Sequence, residues 1–329
     1  MSEKALLEVK DLSVEYHTDE MTVKAVNGVS LSVGRGQTLG LVGETGAGKT
    51  TLALSLLRLL PKGIGKITSG AINFEGANLL SLREADMRAY RGRLLSMIFQ
   101  DPMTSLNPVI PVGRQVAEVL ELHNDKKLTK QQIEARVDDM FRMVGIPPER
   151  KNEYPHQFSG GMKQRVVIAI SLACEPELLI ADEPTTALDV TIQAQVLAMM
   201  TDLKEKLGTS MIMITHDLGI VAETCDSVAV MYAGEIVEMG TVEALFEGDT
   251  HHPYTEGLFG SIPRLDVETE RLRPIDGMIA DPSDLPGGCS FHPRCPYCTE
   301  RCKTEHPQAH LDARGHMIRC HRFDKEGEA

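Results

Sequence analysis

The pattern of apolar and polar residues along the chain predicts strands that alternate with helices. Segments of alternating apolar and polar side chains, which indicate strands with one buried face, are residues 7–9, 12–16 and 29–33. Uniformly apolar runs, which are typical of strands buried on both faces, are residues 38–42, 178–181 and 211–214. Residues 228–239 further predict a hairpin that turns at Ala233 and Gly234.

Helix-forming segments lie between these strands. Residues 51–60 and 191–207 have helical patterns. The period is also helical from about residue 113 to residue 145, where Thr129 and Gln132 have the pattern of a capping box. Because alternating strands and helices favour a mostly parallel sheet with both faces covered, we predict an α/β protein with a helical insert.

Length, composition and charge narrow the class of protein. The 329 residues are 42% hydrophobic and 25% charged, which is ordinary for a globular protein with more than one domain. No apolar run approaches the ~20 residues that span a bilayer, and residues 1–10 lack the apolar core of a signal peptide. We therefore expect a cytosolic chain that reaches a membrane through a partner. The net charge of −13 argues against nucleic acid as the main ligand.

Residues 43–50 read GETGAGKT, and this glycine-rich loop lies between a buried strand and the start of a helix. The glycines let backbone N–H groups point inward, and the helix adds a partial positive charge, so the loop can cradle phosphate groups. Lys49 can then reach the terminal phosphates, and the Thr50 hydroxyl can bind Mg²⁺. The segment predicts that the chain binds a nucleoside triphosphate.

Two later segments carry further candidate chemistry. The strand at residues 178–181 is followed by Asp182, which can hold Mg²⁺, and by Glu183, which can accept a proton from an attacking water. Residues 158–165 read FSGGMKQR and place a serine hydroxyl and glycine amides at a helix start, where an anion can bind. Taken alone, this second segment is also compatible with an ordinary helix cap.

Together these segments resemble the motif set of the ATP-binding-cassette ATPases. The matching residues are GETGAGKT, Gln100 in FQDP, FSGGMKQR, LLIADEP, Ala187-Leu188-Asp189 and ITHD at residues 214–217. Within that superfamily the chain is similar to the ATPase subunits of oligopeptide and dipeptide importers. The residues that carry this similarity are MIFQDPMTSLNP (97–108), YPHQFSGGM (154–162), HHPYTEGL (251–258) and CSFHPRCP (289–296).

The resemblance implies a fold and a division into domains. The expected core is a P-loop ATPase with a mixed, RecA-like sheet, an N-terminal antiparallel β part and a helical subdomain. The nucleotide-binding domain would take residues 1–250, with the helical insert at about residues 101–175. A peptide-importer-type extension would take residues 251–329, with a cysteine-rich, metal-binding region at about residues 286–322.

The resemblance also implies catalytic roles. Glu183 matches the general base, and His216 matches the side chain that contacts the γ-phosphate and positions Glu183 and the water. The Mg²⁺ ligands would be Thr50, Gln100 and Asp182. Gln100 also matches the residue that senses the membrane partner.

Other matching residues would bind the nucleotide. Those around the nucleotide in the same subunit are Tyr16, which matches the aromatic that stacks on adenine, and Gly43, Glu44, Thr45, Gly46, Ala47, Gly48, Lys49, Thr50 and Thr51. Those that act across a dimer are Ser159, Gly160, Gly161, Met162 and Asp189. The chain departs from the common pattern in three places: Met162 replaces a glutamine, and Thr45 and Ala47 replace serines.

The cysteines are concentrated near the end of the chain. Five of the seven are Cys289, Cys295, Cys298, Cys302 and Cys320. Disulfides are not expected in a reducing cytosol, so clustered thiols indicate a metal, either zinc in a site begun by Cys295 and Cys298 or a [4Fe–4S] cluster. A tail without metal is the third alternative. The resemblance favours the cluster and assigns it to Cys289, Cys295, Cys302 and Cys320, which leaves Cys298 as an extra thiol.

The function that the resemblance implies is ATP hydrolysis that powers a peptide importer at the cytoplasmic face of the cell membrane. The expected partners are two transmembrane permease subunits, a second homologous ATPase in a heterodimer or homodimer, and an extracytoplasmic substrate-binding protein. The alternatives are an importer of nickel or another small solute, a soluble ATPase acting on nucleic acid or ribosomes, and a non-enzymatic nucleotide sensor. Glu183 and His216 argue against the sensor. The single cassette, compact insert and acidic charge argue against the soluble machine.

Overall fold

The computed structural model describes residues 5–125, 127–186, 188–261 and 275–324, so that Ala187 lies outside the described residues. The strands are β1 (Leu7–His17), β2 (Thr22–Val33), β3 (Thr38–Val42), β4 (Gly65–Phe74), β5 (Ala77–Asn78), β6 (Leu95–Ile98), β7 (Leu178–Asp182), β8 (Ser210–Thr215), β9 (Ser227–Tyr232), β10 (Glu235–Thr241), β11 (Ala309–Leu311) and β12 (Met317–Arg319). The α-helices are α1 (Lys49–Leu56), α2 (Glu84–Tyr90), α3 (Pro102–Ser105), α4 (Val112–Leu122), α5 (Lys130–Met143), α6 (Gly160–Leu172), α7 (Val190–Leu207), α8 (Leu218–Thr224), α9 (Val242–Phe246), α10 (Pro253–Gly260) and α11 (Glu300–Thr304). None of these helices has the combined length and apolar character that crossing a membrane requires, as far as the described ranges extend.

These elements form two compact units, each built from segments that are distant in sequence. The first unit takes the described residues of 1–6, 33–38 and 81–214, and the second takes those of 7–32, 39–80 and 215–329. The phosphate loop and the C-terminal tail therefore belong to the same unit.

The first unit contains three buried parallel strands and the helices of the insert. Strand β7 pairs in parallel with β6 on one side and with β8 on the other, and every residue of the three strands is buried. This confirms the strands predicted from the apolar runs at 178–181 and 211–214. Helix α5 begins after Thr129, and the predicted capping box with Gln132 is complete. Helix α7 ends at Gly208 in the left-handed conformation (φ 67°).

The second unit contains an antiparallel sheet of order β2-β1-β4-β5. The two alternating segments at residues 7–9 and 12–16 are parts of the single strand β1, which is interrupted by a bulge where Asp11 has φ 46°. In a second sheet β3 pairs in parallel with β9, and β9 forms a hairpin with β10. Its turn residues Ala233 and Gly234 have φ of 47° and 83°, the left-handed pair that a type I′ hairpin turn requires.

Helix α1 is shorter than its sequence pattern predicts. The apolar pattern runs to residue 60, but the helix ends at Leu56. Arg58 adopts φ 52°, the N–H of Leu59 donates to the carbonyl of Leu54 (2.8 Å), and the N–H of Arg58 donates to the carbonyl of Ser55 (3.0 Å). These are the two bonds of a Schellman ending. The Arg58 guanidinium also donates to the carbonyl of Leu79 (3.1 Å), a tertiary contact that holds a non-glycine residue in this conformation.

The C-terminal tail extends the second sheet, although its sequence shows little periodicity. Strand β12 pairs antiparallel with β10 and with β11. The rings of Tyr232, Tyr254 and Phe291 also pack together, with centroids 4.7–5.5 Å apart, and all three are buried. The tail is therefore held by both strand pairing and an aromatic cluster.

A buried carboxylate fastens the tail to β10. Glu238 is completely buried, and its Oε1 lies 2.9 Å from Nδ1 of His251 and 2.9 Å from Nε2 of His316. The other ring nitrogen of His251 lies 2.8 Å from the carbonyl oxygen of Gly248. Because both partners of His251 are acceptors, this ring donates from both nitrogens and carries a positive charge.

The electrostatics of this group follow from the same contacts. Burial raises the pKa of Glu238, but the hydrogen bonds from His251, His316 and the His252 backbone outweigh burial and lower it to about 2. The hydrogen bond to Glu238 raises the pKa of His251, despite burial. The ion pair is therefore a stabilising contact at moderate pH.

Replacing Glu238 by Gln should destabilise the docking of the tail by about 2–3 kcal/mol, because the charged and half-buried His251 loses its counter-ion. Hydrogen exchange of the β12 amides measures this loss locally. A matched control is Glu235→Gln on the same strand, since Glu235 pairs with the exposed His306 and should contribute less than about 1 kcal/mol.

The stability difference between wild type and Glu238→Gln should depend on pH. The contribution of Glu238 is complete above its ordinary pKa of 4.5 and is lost as pH falls toward 2. The contribution of His251 is complete below its ordinary pKa of 6.5 and is lost as pH rises through its raised folded value. The stability difference should thus be largest between pH 4.5 and pH 6.5. A difference that does not change with pH would contradict this assignment.

Candidate functional site

The phosphate loop follows the buried strand β3 and is packed closely against the rest of its unit. A Cβ at Gly43 would lie 2.2 Å from the carbonyl oxygen of Met231, and a Cβ at Gly48 would lie 2.2 Å from that of Ala25. Gly48 also has φ 104°. Glycine is therefore required at both ends of the loop by close approach of backbone.

Lys49 lies beneath the loop with its ammonium group hydrogen-bonded to it. The side chain is 7% exposed, and Nζ donates to the carbonyl oxygens of Gly43 (2.6 Å) and Glu44 (3.0 Å). The hairpin turn supports the loop from another side, because the N–H of Gly234 donates to the carbonyl of Ala47 (2.9 Å). The lysine is thus held at the loop where phosphate oxygens can replace the carbonyls.

The remaining loop residues divide into accessible and covered positions. Thr45, Gly46 and Thr50 are exposed, which suits residues that meet a ligand. Tyr16 is half-buried, and its hydroxyl donates to Oγ1 of Thr51 (3.2 Å). The predicted adenine-stacking side chain therefore lies beside the loop, although the hydroxyl contact to Thr51 was not foreseen.

In the first unit, the end of β7 delivers the two predicted carboxylates. Asp182 is 2% exposed. Glu183 has φ 47°, a strained conformation for a residue that is not glycine, and strain of this kind is concentrated at functional sites. Its Oε2 accepts hydrogen bonds from Nε2 of Gln100 (3.1 Å) and from Oγ1 of Thr186 (2.9 Å). The structure thus brings Gln100 and Glu183 together.

Thr186 is a site residue that sequence reasoning missed. It lies three residues after Glu183, where a hydroxyl can return to the carboxylate across a tight turn, so the spacing carried a usable signal. Two donors on one oxygen orient the carboxylate of Glu183.

The Ser-Gly-Gly segment forms the start of helix α6, as predicted. The N–H of Met162 donates to Oγ of Ser159 (3.4 Å), while Gly160 and Gly161 follow as half-buried residues. Arg150, which sequence reasoning did not single out, supports this turn. Its guanidinium donates to Sδ of Met162 (3.4 Å) and lies 4.6 Å from the centroid of the Phe158 ring.

Two further candidates lie at exposed element ends. Asp189 is exposed and precedes helix α7 in the first unit. His216 is exposed in the second unit and follows β8 directly. The side chain of Asp217 accepts from the N–H of Gly219 (2.8 Å) and caps α8, which fixes the chain next to His216.

In the tail, four cysteines surround one cavity of about 170 Å³. The thiols that line it are Cys289, Cys295, Cys302 and Cys320, and Cys298 is not among the lining residues. The N–H of Cys289 donates to the carbonyl of Cys302 (2.9 Å), and this bond joins the first and third of the four cysteines. Burial raises the pKa of Cys289 to about 12 and that of Cys295 to about 11, and the neighbouring thiols add to both shifts.

The described residues contain a compact group of possible metal ligands outside this cavity. Ligand atoms around a tetrahedral zinc lie about 3.8 Å apart, from Zn–S distances of about 2.3 Å. Within the described ranges, three ligand atoms of His, Cys, Asp or Glu lie within 4.8 Å of one another only at Glu238, His251 and His316. The carboxylate and imidazoles of this group are already hydrogen-bonded to one another.

Two family models match the chain. Residues 26–186 match the model described as ABC transporter, and residues 237–302 match the model described as Oligopeptide/dipeptide transporter, C-terminal region. The oligopeptide transport ATP-binding protein AppD of Bacillus subtilis is 48% identical over 98% of both chains. The chain belongs to the ATP-binding-cassette family of peptide transporter ATP-binding proteins.

Other relatives agree with this membership, and solved structures share the fold of this chain. The dipeptide transport ATP-binding proteins DppD of Bacillus subtilis and Escherichia coli are 47% and 43% identical, over 98% and 96% of this chain and 96% of each relative. The structure of cbiO1 from Clostridium perfringens, part of the ABC transporter complex cbiONQ, has a TM-score of 0.63 at 30% identity and covers 74% of this chain and 92% of its own. The dimeric ATP-binding cassette MJ0796 bound to ADP and Pi has a TM-score of 0.65 at 23% identity, over 72% of this chain and 98% of its own, and shows the fold alone.

Replacing Gly48 by Ala should weaken ATP binding at least ~10-fold and lower the free energy of unfolding by more than about 2 kcal/mol, because the loop must shift away from the Ala25 carbonyl. Calorimetric titration with ATP and denaturant unfolding measure the two effects. The matched control is Gly36→Ala. Gly36 also has a left-handed φ (68°), but a Cβ added there has no atom within 4 Å. It should cost only about 1 kcal/mol and leave ATP affinity unchanged. Equal ATP affinities of the two variants would contradict the packing argument.

Proposed function

We propose that this chain is the ATP-binding and ATP-hydrolysing subunit that powers import of dipeptides or oligopeptides. The observation that carries the proposal is the carboxylate of Glu183, oriented by Gln100 and Thr186 directly after the buried Asp182. This arrangement suits hydrolysis, in a family whose curated relatives are named as peptide transport ATP-binding proteins.

The phosphate loop would bind the triphosphate. Its amides and the start of helix α1 provide donors and positive potential, and Lys49 would exchange its carbonyl partners for phosphate oxygens. Thr50, Gln100 and Asp182 carry oxygen atoms of the kind that Mg²⁺ prefers and would hold the ion, which would neutralise charge on the phosphates. Tyr16, beside Thr51, would cover the adenine.

Hydrolysis would depend on Glu183 and His216. The carboxylate of Glu183 is held by two donors, so it is oriented to accept a proton from the attacking water. His216 would contact the γ-phosphate and help position that water. Both residues follow the carboxyl ends of strands, the usual location of ligand sites in α/β sheets.

The remaining assigned residues would act in an assembly. Ser159, the two glycines that follow it, Met162 and Asp189 would close over the nucleotide of a second ATPase subunit, in a heterodimer or a homodimer. The other partners would be two transmembrane permease subunits and an extracytoplasmic binding protein, with this chain at the cytoplasmic face of the membrane. ATP binding would close the dimer and hydrolysis would reopen it.

Replacing Glu183 by Gln should slow ATP turnover by at least ~10²-fold while ATP affinity stays within ~3-fold of wild type, because the amide cannot accept the proton but keeps the shape of the site. Steady-state hydrolysis and equilibrium ATP binding measure the two quantities. Glu177→Gln is the matched control, since Glu177 pairs with the exposed Arg35 and should leave turnover unchanged. Near-normal turnover of the Glu183 variant would refute the assigned base.

The transported solute is tested with the same protein in its assembly. ATP hydrolysis by the chain co-expressed with permease subunits and a binding protein should rise when peptides are added. If nickel or another small solute stimulates hydrolysis instead, that solute and not a peptide is the transported compound. Stimulation by nucleic acid or ribosomes would support a soluble ATPase.

We further propose that the tail holds a [4Fe–4S] cluster on Cys289, Cys295, Cys302 and Cys320. The support is that these four cysteines line one cavity and that Cys298 is not among its lining residues. The group would cross-link a tail whose regular structure is limited to short elements.

Protein purified without oxygen should be brown and contain about four iron atoms per chain, as this cluster type does. Cys295→Ser should lose at least half of the iron because it removes a ligand, whereas Cys298→Ser should keep it. Iron, sulfide and zinc analyses measure the outcome. Colourless protein that contains one zinc ion per chain and no iron would overturn the cluster in favour of zinc.

A further inference from the structure

The second residue of the phosphate loop is held by the C-terminal tail. The N–H of Glu44 donates to the hydroxyl of Tyr254 (2.8 Å). The carboxylate of Glu44 accepts two parallel hydrogen bonds from Arg294, Nη1 to Oε2 (2.7 Å) and Nη2 to Oε1 (3.2 Å). Backbone and side chain of Glu44 are thus both fixed by residues more than 200 positions away in sequence.

Arg294 is built into the tail and is not a mobile surface side chain. It is 3% exposed, and its guanidinium also donates to the carbonyl oxygens of Asp276 (3.1 Å) and Ile275 (3.2 Å). It lies 5.8 Å from the ring centroid of Tyr232 and 5.9 Å from that of Phe291. A bidentate pair whose arginine is this well buried restrains geometry more strongly than an exposed ion pair does.

Tyr254 is equally well fixed. It is completely buried and packs against Tyr232 and Phe291. Burial raises the pKa of its hydroxyl, which therefore stays neutral and can accept the Glu44 amide hydrogen.

The restraint on Glu44 extends to the phosphate-binding lysine. The carbonyl oxygen of Glu44 accepts a hydrogen bond from Nζ of Lys49 (3.0 Å). Glu44 therefore connects the tail to Lys49. Its N–H and carboxylate contact Tyr254 and Arg294 of the tail, and its carbonyl contacts the ammonium group that would bind the phosphates. A shift of Glu44 would move this carbonyl and its part of the phosphate cradle.

We propose that Arg294 is a positioning residue for nucleotide: through Glu44, the tail holds the phosphate loop in the shape that accepts a triphosphate. This inference rests on the proposed assignment of residues 43–51 to ATP. Because binding linkage is reciprocal, bound ATP should also protect the tail around Arg294 from opening.

The test is a double-mutant cycle on the full chain, with ATP affinity as the readout. Arg294→Met should weaken ATP binding about 10-fold, and Arg294→Lys should weaken it less, because lysine keeps the charge but loses the bidentate geometry. Glu44→Gln should also weaken binding. If Arg294 acts through Glu44, the double variant that carries both Arg294→Met and Glu44→Gln should bind ATP no more weakly than the single variant with the lower ATP affinity.

The controls separate this inference from a general structural effect. Arg314→Met removes an arginine from the same tail, but Arg314 is exposed and its guanidinium pairs with the neighbouring Asp312, so ATP affinity should not change. ATP should slow hydrogen exchange of residues 289–295 in wild type and not in Arg294→Met. Fully additive losses in the cycle would mean that Arg294 affects ATP affinity independently of Glu44, and they would overturn the proposal.

Failure of the inference and failure of the proposed function give different results. Lys49→Ala that binds ATP normally would refute the phosphate site itself. Lys49→Ala that loses ATP, together with Arg294→Met and Glu44→Gln at wild-type affinity, would refute the tail coupling alone. If Arg294→Met does not fold, Glu44→Gln decides, since it leaves the carbonyl contacts of Arg294 intact, and wild-type affinity of that variant would overturn the proposal.

Discussion

The close packing of the phosphate loop against backbone carbonyls is the constraint on which the nucleotide site depends. Gly43 and Gly48 leave no room for a side chain, and the ammonium group of Lys49 is held by the carbonyl oxygens of Gly43 and Glu44 in the same loop. A loop fixed in this way would need little reorganisation if phosphate groups took the place of the carbonyl partners. Preorganisation of donors is the main means by which proteins stabilise phosphate charge.

The site around Glu183 differs from the phosphate loop, because a residue that is not glycine has a strained backbone there. Glu183 has a left-handed backbone directly after a fully buried strand, and Gln100 and Thr186 both donate to its side chain. Such a conformation costs of order 1–3 kcal/mol and persists because the surrounding contacts overdetermine it. The strain places a carboxylate where a straight continuation of the strand would not.

The tail stabilises its unit with polar groups as well as with apolar area. Glu238 is a buried acid between two histidines, Arg294 is a buried base paired with Glu44, and the aromatic cluster of Tyr232, Tyr254 and Phe291 lies beside the latter pair. Buried charges of this kind are costly to separate, so they favour one docking geometry over others. The four thiols around a single cavity would add a further cross-link in the same segment.

Local pattern determined much of this protein. Apolar runs predicted β3, β7 and β8, the turn at Ala233 and Gly234 was correct, and the capping box at Thr129 was complete, because each depends on neighbouring residues only. The same reason explains why the sequence predicted three further features: the glycine loop, the two acids after β7 and the Ser-Gly-Gly start of α6. Only tertiary structure decided the early end of α1 at a non-glycine residue, the pairing of β12 with β10, the support of Met162 by Arg150 and the hold of Arg294 on Glu44. Each of these is set by contact between residues that are not neighbours in the chain, from 12 positions apart for Arg150 and Met162 to 250 for Arg294 and Glu44. Single-sequence periodicity contains no information about which such residues meet.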